Sequence, residues 1–360
     1  MTSRRQFLAG LAAASLAPTQ GWSTVGAPDF LAAALFPDGT YRLAGLSSEG
    51  GILFSLPLPA RGHAAAAHPL RAQAVAFARR PGTFGVVIDC KSGTQTARMD
   101  APKGRHFYGH GVFSRDGTHL FTTENDYEAG EGVIGVWDSE DYTRLGEFSS
   151  GGVGPHDMRI MPDGETLIIA NGGIETHPEM GRTKLNLPIM QPRLSYLSLS
   201  GSVLEQIELP RTLHKNSIRH LAVRSDGLVG FAMQWQGNRL THPPLLGLHK
   251  RGEAPRLLAA PESVQSALQG YAGSIAFAGD GKTIAITCPR GNNLLRFDSL
   301  TGRLNDTTPL EDVCGLGAGP SGFVFTTGTG LVGALTAKAR ISARPDCQWD
   351  NHLVPVGLPV

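Results

Sequence analysis

The sequence predicts an all-β, seven-bladed β-propeller with about four antiparallel strands per blade, and three observations lead there. A short grammar recurs along the chain. It is clearest where Tyr108-Gly109-His110-Gly111 opens an apolar strand, Arg115-Asp116-Gly117 turns it, and a second strand runs into Glu124-Asn125-Asp126-Tyr127. The pattern restarts at Gly154-Pro155-His156-Asp157, turns at Pro162-Asp163-Gly164 and runs into Asn171-Gly172-Gly173. A unit repeating at this length is one supersecondary element of a larger array. Second, the turn glycines Gly117, Gly164, Gly227, Gly281 and Gly322 lie 47, 63, 54 and 41 residues apart, and the 78 residues from Gly39 to Gly117 leave room for two units. Third, 46 glycines and 24 prolines suit many short strands joined by tight turns.

Each unit can be placed in order. The first covers 30–59, with an apolar strand at 31–36, the turn Pro37-Asp38-Gly39-Thr40, and strands at 41–46 and 52–58. The second opens at Gly62-His63, with strands at 64–67, 75–78, 84–89 and 95–99. The third opens at Tyr108 and continues through 120–123, 133–138 and 144–148. The fourth opens at Gly154 and carries the longest loop, 171–193, before a strand at 194–199. The fifth opens at Asn216 and turns at Ser225-Asp226-Gly227. The sixth opens at Tyr271 and turns at Gly279-Asp280-Gly281. The seventh opens at Val313-Cys314-Gly315, turns near Ser321-Gly322 and runs to the C-terminus. A helical segment over 261–268 links the fifth and sixth units. Four strands in each of seven such units describe a propeller.

Residues 1–27 read as a twin-arginine signal peptide and 28–360 as one propeller domain. Ser3-Arg4-Arg5-Gln6-Phe7-Leu8 precedes a short alanine-rich apolar stretch that ends near Ala17. No later stretch reaches the ~18 apolar residues of a membrane span. The expected address is the bacterial periplasm, with no membrane span in the mature chain. Twin-arginine export carries folded proteins, often with a cofactor already loaded. A formal net charge of +1 gives no electrostatic footprint for nucleic acid. Cys90, Cys288, Cys314 and Cys347 form no C-x-x-C or haem-attachment motif, and neither a nucleotide-binding nor a nucleophile-elbow pattern is present. If a disulfide forms in an oxidising compartment, Cys314 and Cys347, in the same final unit, are the better-placed pair; the alternative is four free buried thiols.

In a propeller the first strand of each blade lines the central channel, and the loops joining second and third strands open on the face where that strand begins. The first-strand openings are His63, His110, His156 with Asp157, Arg219 with His220, Gly273 with Ser274, and Cys314. The loop set is Arg79-Arg80, Glu124 with Asp126 and Tyr127, Asn171 with Glu175 and His177, Gln234-Trp235, and Arg290. His63, His110, His156 and His220 are therefore the candidate metal ligands, because imidazoles converging from rigid strands suit iron or copper, with zinc a weaker match. Carboxylates near them can complete the shell or orient the rings. Arg79, Arg80, Arg219 and Arg290 offer a carboxylate or phosphate site instead. His68, His119, His242, His249 and His352 read as surface or packing residues in turns and outer strands.

Gly109-His110 with Glu124-Asn125-Asp126-Tyr127, the run from Asn171 to Pro178 continuing through Lys184-Leu185-Asn186-Leu187, and Ser217-Ile218-Arg219-His220-Leu221 together resemble the DUF1513 family. The resemblance covers nearly the whole chain after the signal segment. It implies a twin-arginine-exported, propeller-type periplasmic protein of undetermined activity. It also implies encoding beside imelysin-like and di-haem peroxidase-like genes in iron-uptake clusters, and so partners in periplasmic iron handling. One departure is Leu70-Arg71, where an Asp-Gly turn is expected. The leading functional expectation is a non-enzymatic protein that binds a transition metal, or a metal-handling partner, at a histidine-lined funnel. The alternatives are a metal-dependent hydrolase or oxidoreductase using Glu124, Asp126 or Glu175 as base, and a pure interaction scaffold. The fold by itself hosts all three.

Overall fold

Strand position within a blade decides how each segment reads. In the computed structural model, which describes residues 20–79, 82–319, 322–336, 338–343 and 345–356, second and third strands are buried on both faces. Thr166–Asn171 is buried at every residue and Arg193–Ser198 at its four central ones. Both faces of such a strand meet a neighbouring blade, so they read as continuous apolar runs rather than alternating ones. Fourth strands such as Val203–Glu208 and Leu304–Pro309 lie at the rim and are mostly exposed.

Seven antiparallel sheets result. Blades two to seven each use four consecutive strands, beginning at Gly62, Arg105, Pro155, Asn216, Ser274 and Val313. Side chains of adjacent blades interleave between the sheets. Phe77, Val87 and Met99 of blade two pack with Phe107, Leu120 and Trp137 of blade three, for instance. The short helix Glu262–Ala267 sits between blades five and six, as the sequence suggests. No helix among the described residues is long and apolar enough to cross a membrane.

Blade one corrects the sequence reading. Its innermost strand is not the apolar segment Phe30–Leu35. That segment is the second strand, and the C-terminal pieces Gln348–Trp349 and Val354–Pro355 pair along its inner edge. The seventh unit therefore ends as a four-stranded blade at Ala343, and the last residues cross to close the ring.

Two further expectations need revision. Cys314 and Cys347 are not bonded, and all four cysteines are free and buried. The Cys314 thiol instead points at the carbonyls of Asp350 and Thr326, 3.5 and 3.6 Å away. Blade two does keep its turn without an Asp-Gly. In other blades an aspartate accepts the backbone N–H two residues on, as Asp116 does from Thr118 and Asp280 from Lys282. Here His68 Nδ1 accepts from Leu70 and Arg71 N–H, while its Nε2–H donates to Gly117 O in the next blade. The twin-arginine stretch lies outside the described residues. Residues 20–27, the end of the expected signal segment, pack on blade two. Trp22 is buried there and donates to His68 O.

Candidate metal centre

The channel-facing residue of a first strand is set by a local defect. Register shifts by one or two residues in the first strands of five blades, at 62–65, 107–111, 155–157, 218–220 and 313–316. A bulge of this kind re-aims a side chain. His63, His110 and His156 fall inside these shifts and His220 closes one. In blade one the interruption between Trp349 and Val354 holds Asp350-Asn351-His352 at the same level. Gly109 belongs to this device. Its φ is +100°, and a Cβ there would lie 2.6 Å from the His63 ring. Glycine lets the two strands approach until their imidazoles meet.

Five histidines gather on the axis as a result. Ring centroids are 4.6 Å apart for His63–His352 and His110–His352, 4.9 Å for His110–His156, 4.8 Å for His156–His220 and 5.0 Å for His220–His352. His63, His110, His156 and His352 each present a ring nitrogen, and these four atoms lie within 4.8 Å of one another. Four nitrogens each about 2.1 Å from one ion in a tetrahedron are about 3.4 Å apart, so closing the set onto one ion draws the rings inward.

Two buried carboxylates stand behind the rings. Asp157 lies 3.2 Å from His110 Nδ1 and pairs with Arg159 at 3.2 Å. It also accepts the Met158 and Leu221 N–H groups at 2.8 and 2.9 Å. Burial works to raise its pKa, but the charges of Arg159 and His110 outweigh burial and hold it below the usual carboxylate range. Asp350 is 3.7 Å from His63 Nδ1, pairs with Arg61 at 3.0 Å and has Arg79 at 3.6 Å. Its pKa is likewise lowered, with His63 and Arg61 overcoming burial. The Asp157–His110 pair is the carboxylate–histidine arrangement that fixes tautomer and ring orientation around bound metals, whereas the Asp350–His63 contact is too long for a hydrogen bond.

Burial favours the neutral form of four of the rings, the form that metal ligation requires. Burial brings the His110 pKa down to about 4. Burial first, then neighbouring positive charge, brings His156 and His352 well below the ordinary value. Burial also lowers His220, against the opposing pull of Asp157. In each of the five axial histidines one buried ring nitrogen has no hydrogen-bond partner among the described residues: Nδ1 of His63, His156 and His220, and Nε2 of His110 and His352. Buried polar atoms call for a partner, and a shared cation would satisfy several of these nitrogens at once.

The structure brings together only part of the residue set drawn from sequence. Arg79 reaches the mouth beside Asp350, and Arg219 sits in the blade-five bulge next to His220, where its charge acts on His156 and His220. Arg80 lies outside the described residues. The others serve different ends. Glu124 is inside blade three, fully buried and bound by both terminal nitrogens of Arg144 at 2.8 and 3.0 Å, because Gly135 opposite has no side chain to exclude it. Asp126 pairs with Arg105 at 2.9 Å. Asn171 ties Ser150 to Ser195 within blade four. Glu175 donates its backbone N–H to Asn186, and His177 caps the turn Pro178–Met180 and meets the Tyr127 ring edge-on. Arg290 lies over the Tyr271 ring at 4.3 Å.

The residue that sequence reasoning missed is His352, with Asp350 and Arg61 around it. His352 is not a surface or packing residue, because the C-terminal crossing carries it to the axis. One signal was available. The first unit shows only three strands where others show four, so the chain end is the natural source of the fourth.

Fold and site together define a β-propeller with a candidate metal centre of buried imidazoles on its axis. The chain belongs to the DUF1513 family, described as a protein of unknown function, whose profile matches residues 56–356. Among solved structures it is similar to a chain of Kuenenia stuttgartiensis hydrazine synthase. The TM-score is 0.58 at 15% identity, over 83% of this chain and 93% of that one, a likeness of fold. No curated protein matches.

Proposed function

We propose that this protein is a periplasmic binder of a transition metal, iron or copper, working in metal acquisition without itself being an enzyme. One observation carries the reading: four imidazole nitrogens from four different blades lie within 4.8 Å of one another, on buried rings. Nitrogen-only ligation suits iron, copper and zinc and disfavours calcium or magnesium, which take oxygen ligands. The periplasmic address rests on the twin-arginine pattern at Arg4-Arg5. The proposed partners are iron-uptake proteins of the imelysin-like and di-haem peroxidase-like kinds, on the strength of the family's gene context.

Elemental analysis of protein purified from the periplasm tests the reading, together with titration of wild type and a His110→Ala/His156→Ala double variant. The expected result is close to one metal per chain in wild type and none in the double variant. Equal metal content in the two proteins sinks the site.

A further inference from the structure

We infer that the metal centre keeps one exchangeable ligand position, sized for a water molecule or a diatomic, facing the axial cavity that Ser274 of blade six helps to line. The inference rests on the metal reading above and adds what the bound ion can take up. Seven blades approach the axis and five of them bring an imidazole. The other two bring Ser274 and Cys314. Cys314 offers no thiolate, since its thiol points at the Asp350 and Thr326 carbonyls and burial pushes its pKa up to about 12. Ser274 begins the first strand of blade six and has only a hydroxyl to present. The histidine ring is therefore interrupted on one side.

A cavity lies on the axis beside the rings. Residues of all seven blades line it, with His110, His220, His352, Ser274, Asp157 and Arg159 among them, and its volume is about 20 Å³. A polar cavity needs about 10–15 Å³ to hold one water, so the space takes one water-sized molecule and little more. Three of the unpartnered ring nitrogens, His110 Nε2, His352 Nε2 and His220 Nδ1, belong to residues lining this same cavity. A ligand here reaches the ion while touching a hydroxyl and lying near the Arg159 guanidinium. Structural metal sites close all positions with protein ligands, whereas sites that act on a ligand leave one open.

Nitric oxide is a suitable probe because it is diatomic and gives a distinctive electron-paramagnetic signal on iron(II). Wild type, Ser274→Ala and Ser274→Leu are loaded anaerobically with iron(II), their iron content is measured, and nitric oxide is added. The expected result is a nitrosyl signal in wild type and Ser274→Ala and its loss in Ser274→Leu, whose side chain fills the cavity. Imidazole, too large for the space, leaves the wild-type iron spectrum unchanged. Iron bound at one per chain with no nitrosyl signal in wild type overturns the exchangeable position and leaves the metal reading standing. An undiminished signal in Ser274→Leu at equal iron content overturns the assignment to this cavity. Failure to bind iron or any other transition metal overturns the metal reading itself.

Discussion

Replacing Asp157 by Asn separates ring orientation from stability. The carboxylate joins three blades: His110 from blade three, its own strand in blade four and the Leu221 N–H of blade five. Asparagine keeps the size but has one acceptor oxygen where aspartate has two. Either the Met158 or the Leu221 N–H then faces an amide NH2 in a buried site, at a cost of about 1–3 kcal/mol. His110 also loses the charge that holds its Nδ1–H, so Nε2 is no longer fixed as the free nitrogen. Losing such an outer partner lowers metal affinity about 10–100-fold, equivalent to about 1.4–2.8 kcal/mol. Glu124→Gln is the control, since it weakens an ion pair with Arg144 in which no ring takes part and costs up to about 3–5 kcal/mol. Denaturant unfolding of apo-protein and competition against a calibrated chelator measure the two quantities. Both variants lose stability, and only Asp157→Asn loses affinity. If both lose affinity in proportion to their stability, or Asp157→Asn binds metal like wild type, the orienting role is refuted.

Other outcomes can be checked alongside. His352→Ala removes one of four converging nitrogens and lowers affinity more than Asp157→Asn does, whereas His249→Ala, which loses a bond to Tyr196, changes stability and leaves the metal titration unaltered. His68 has a pKa pushed down to about 4, chiefly by burial and then by Arg71, so its ring is neutral in the folded state near neutral pH. Its contribution to stability is complete above the unfolded value of 6.5 and is lost as pH falls from there through about 4. The NMR titration of its ring gives the folded midpoint, and a midpoint near 6.5 contradicts the account. Trp22→Ala costs about 3–5 kcal/mol, read as a lower unfolding midpoint of the full-length protein. A variant as stable as wild type would mean that Trp22 does not pack on His68 and its neighbours. Removing residues 348–360 abolishes metal binding along with cooperative unfolding, tested by calorimetry and metal titration.

The fold was legible because propeller blades are local. Each Asp-Gly turn and each apolar run announces itself within a few dozen residues, and neighbouring blades repeat the message. Half the site was legible for the same reason: His63, His110, His156 and His220 open strands whose own blade identifies them. His352 was hidden because its role comes from pairing across the whole chain, and nothing near residue 352 encodes the strand it joins. The acidic loop residues misled for another reason. Glu124 looks exposed beside Asn125-Asp126-Tyr127, yet it turns inward because Gly135, on the paired strand, leaves space for a carboxylate and Arg144 supplies its charge partner. That depends on cross-strand neighbours, which spacing along one strand does not reveal. Likewise Asp157, the carboxylate that does reach a ring, sits directly after a ligand rather than in a loop.

The C-terminal crossing also sets when the site can exist. Arg61 and Asp350, which meet at the channel mouth, are 289 positions apart in sequence. Until residues 348–355 are in place blade one has no inner edge, four of the five rings hang on an unclosed arc, and Asp350 is not there to face His63. A chain clipped before residue 348 thus lacks one of the four converging nitrogens as well as its closing strand, so that closing the ring and assembling the candidate metal centre are one event.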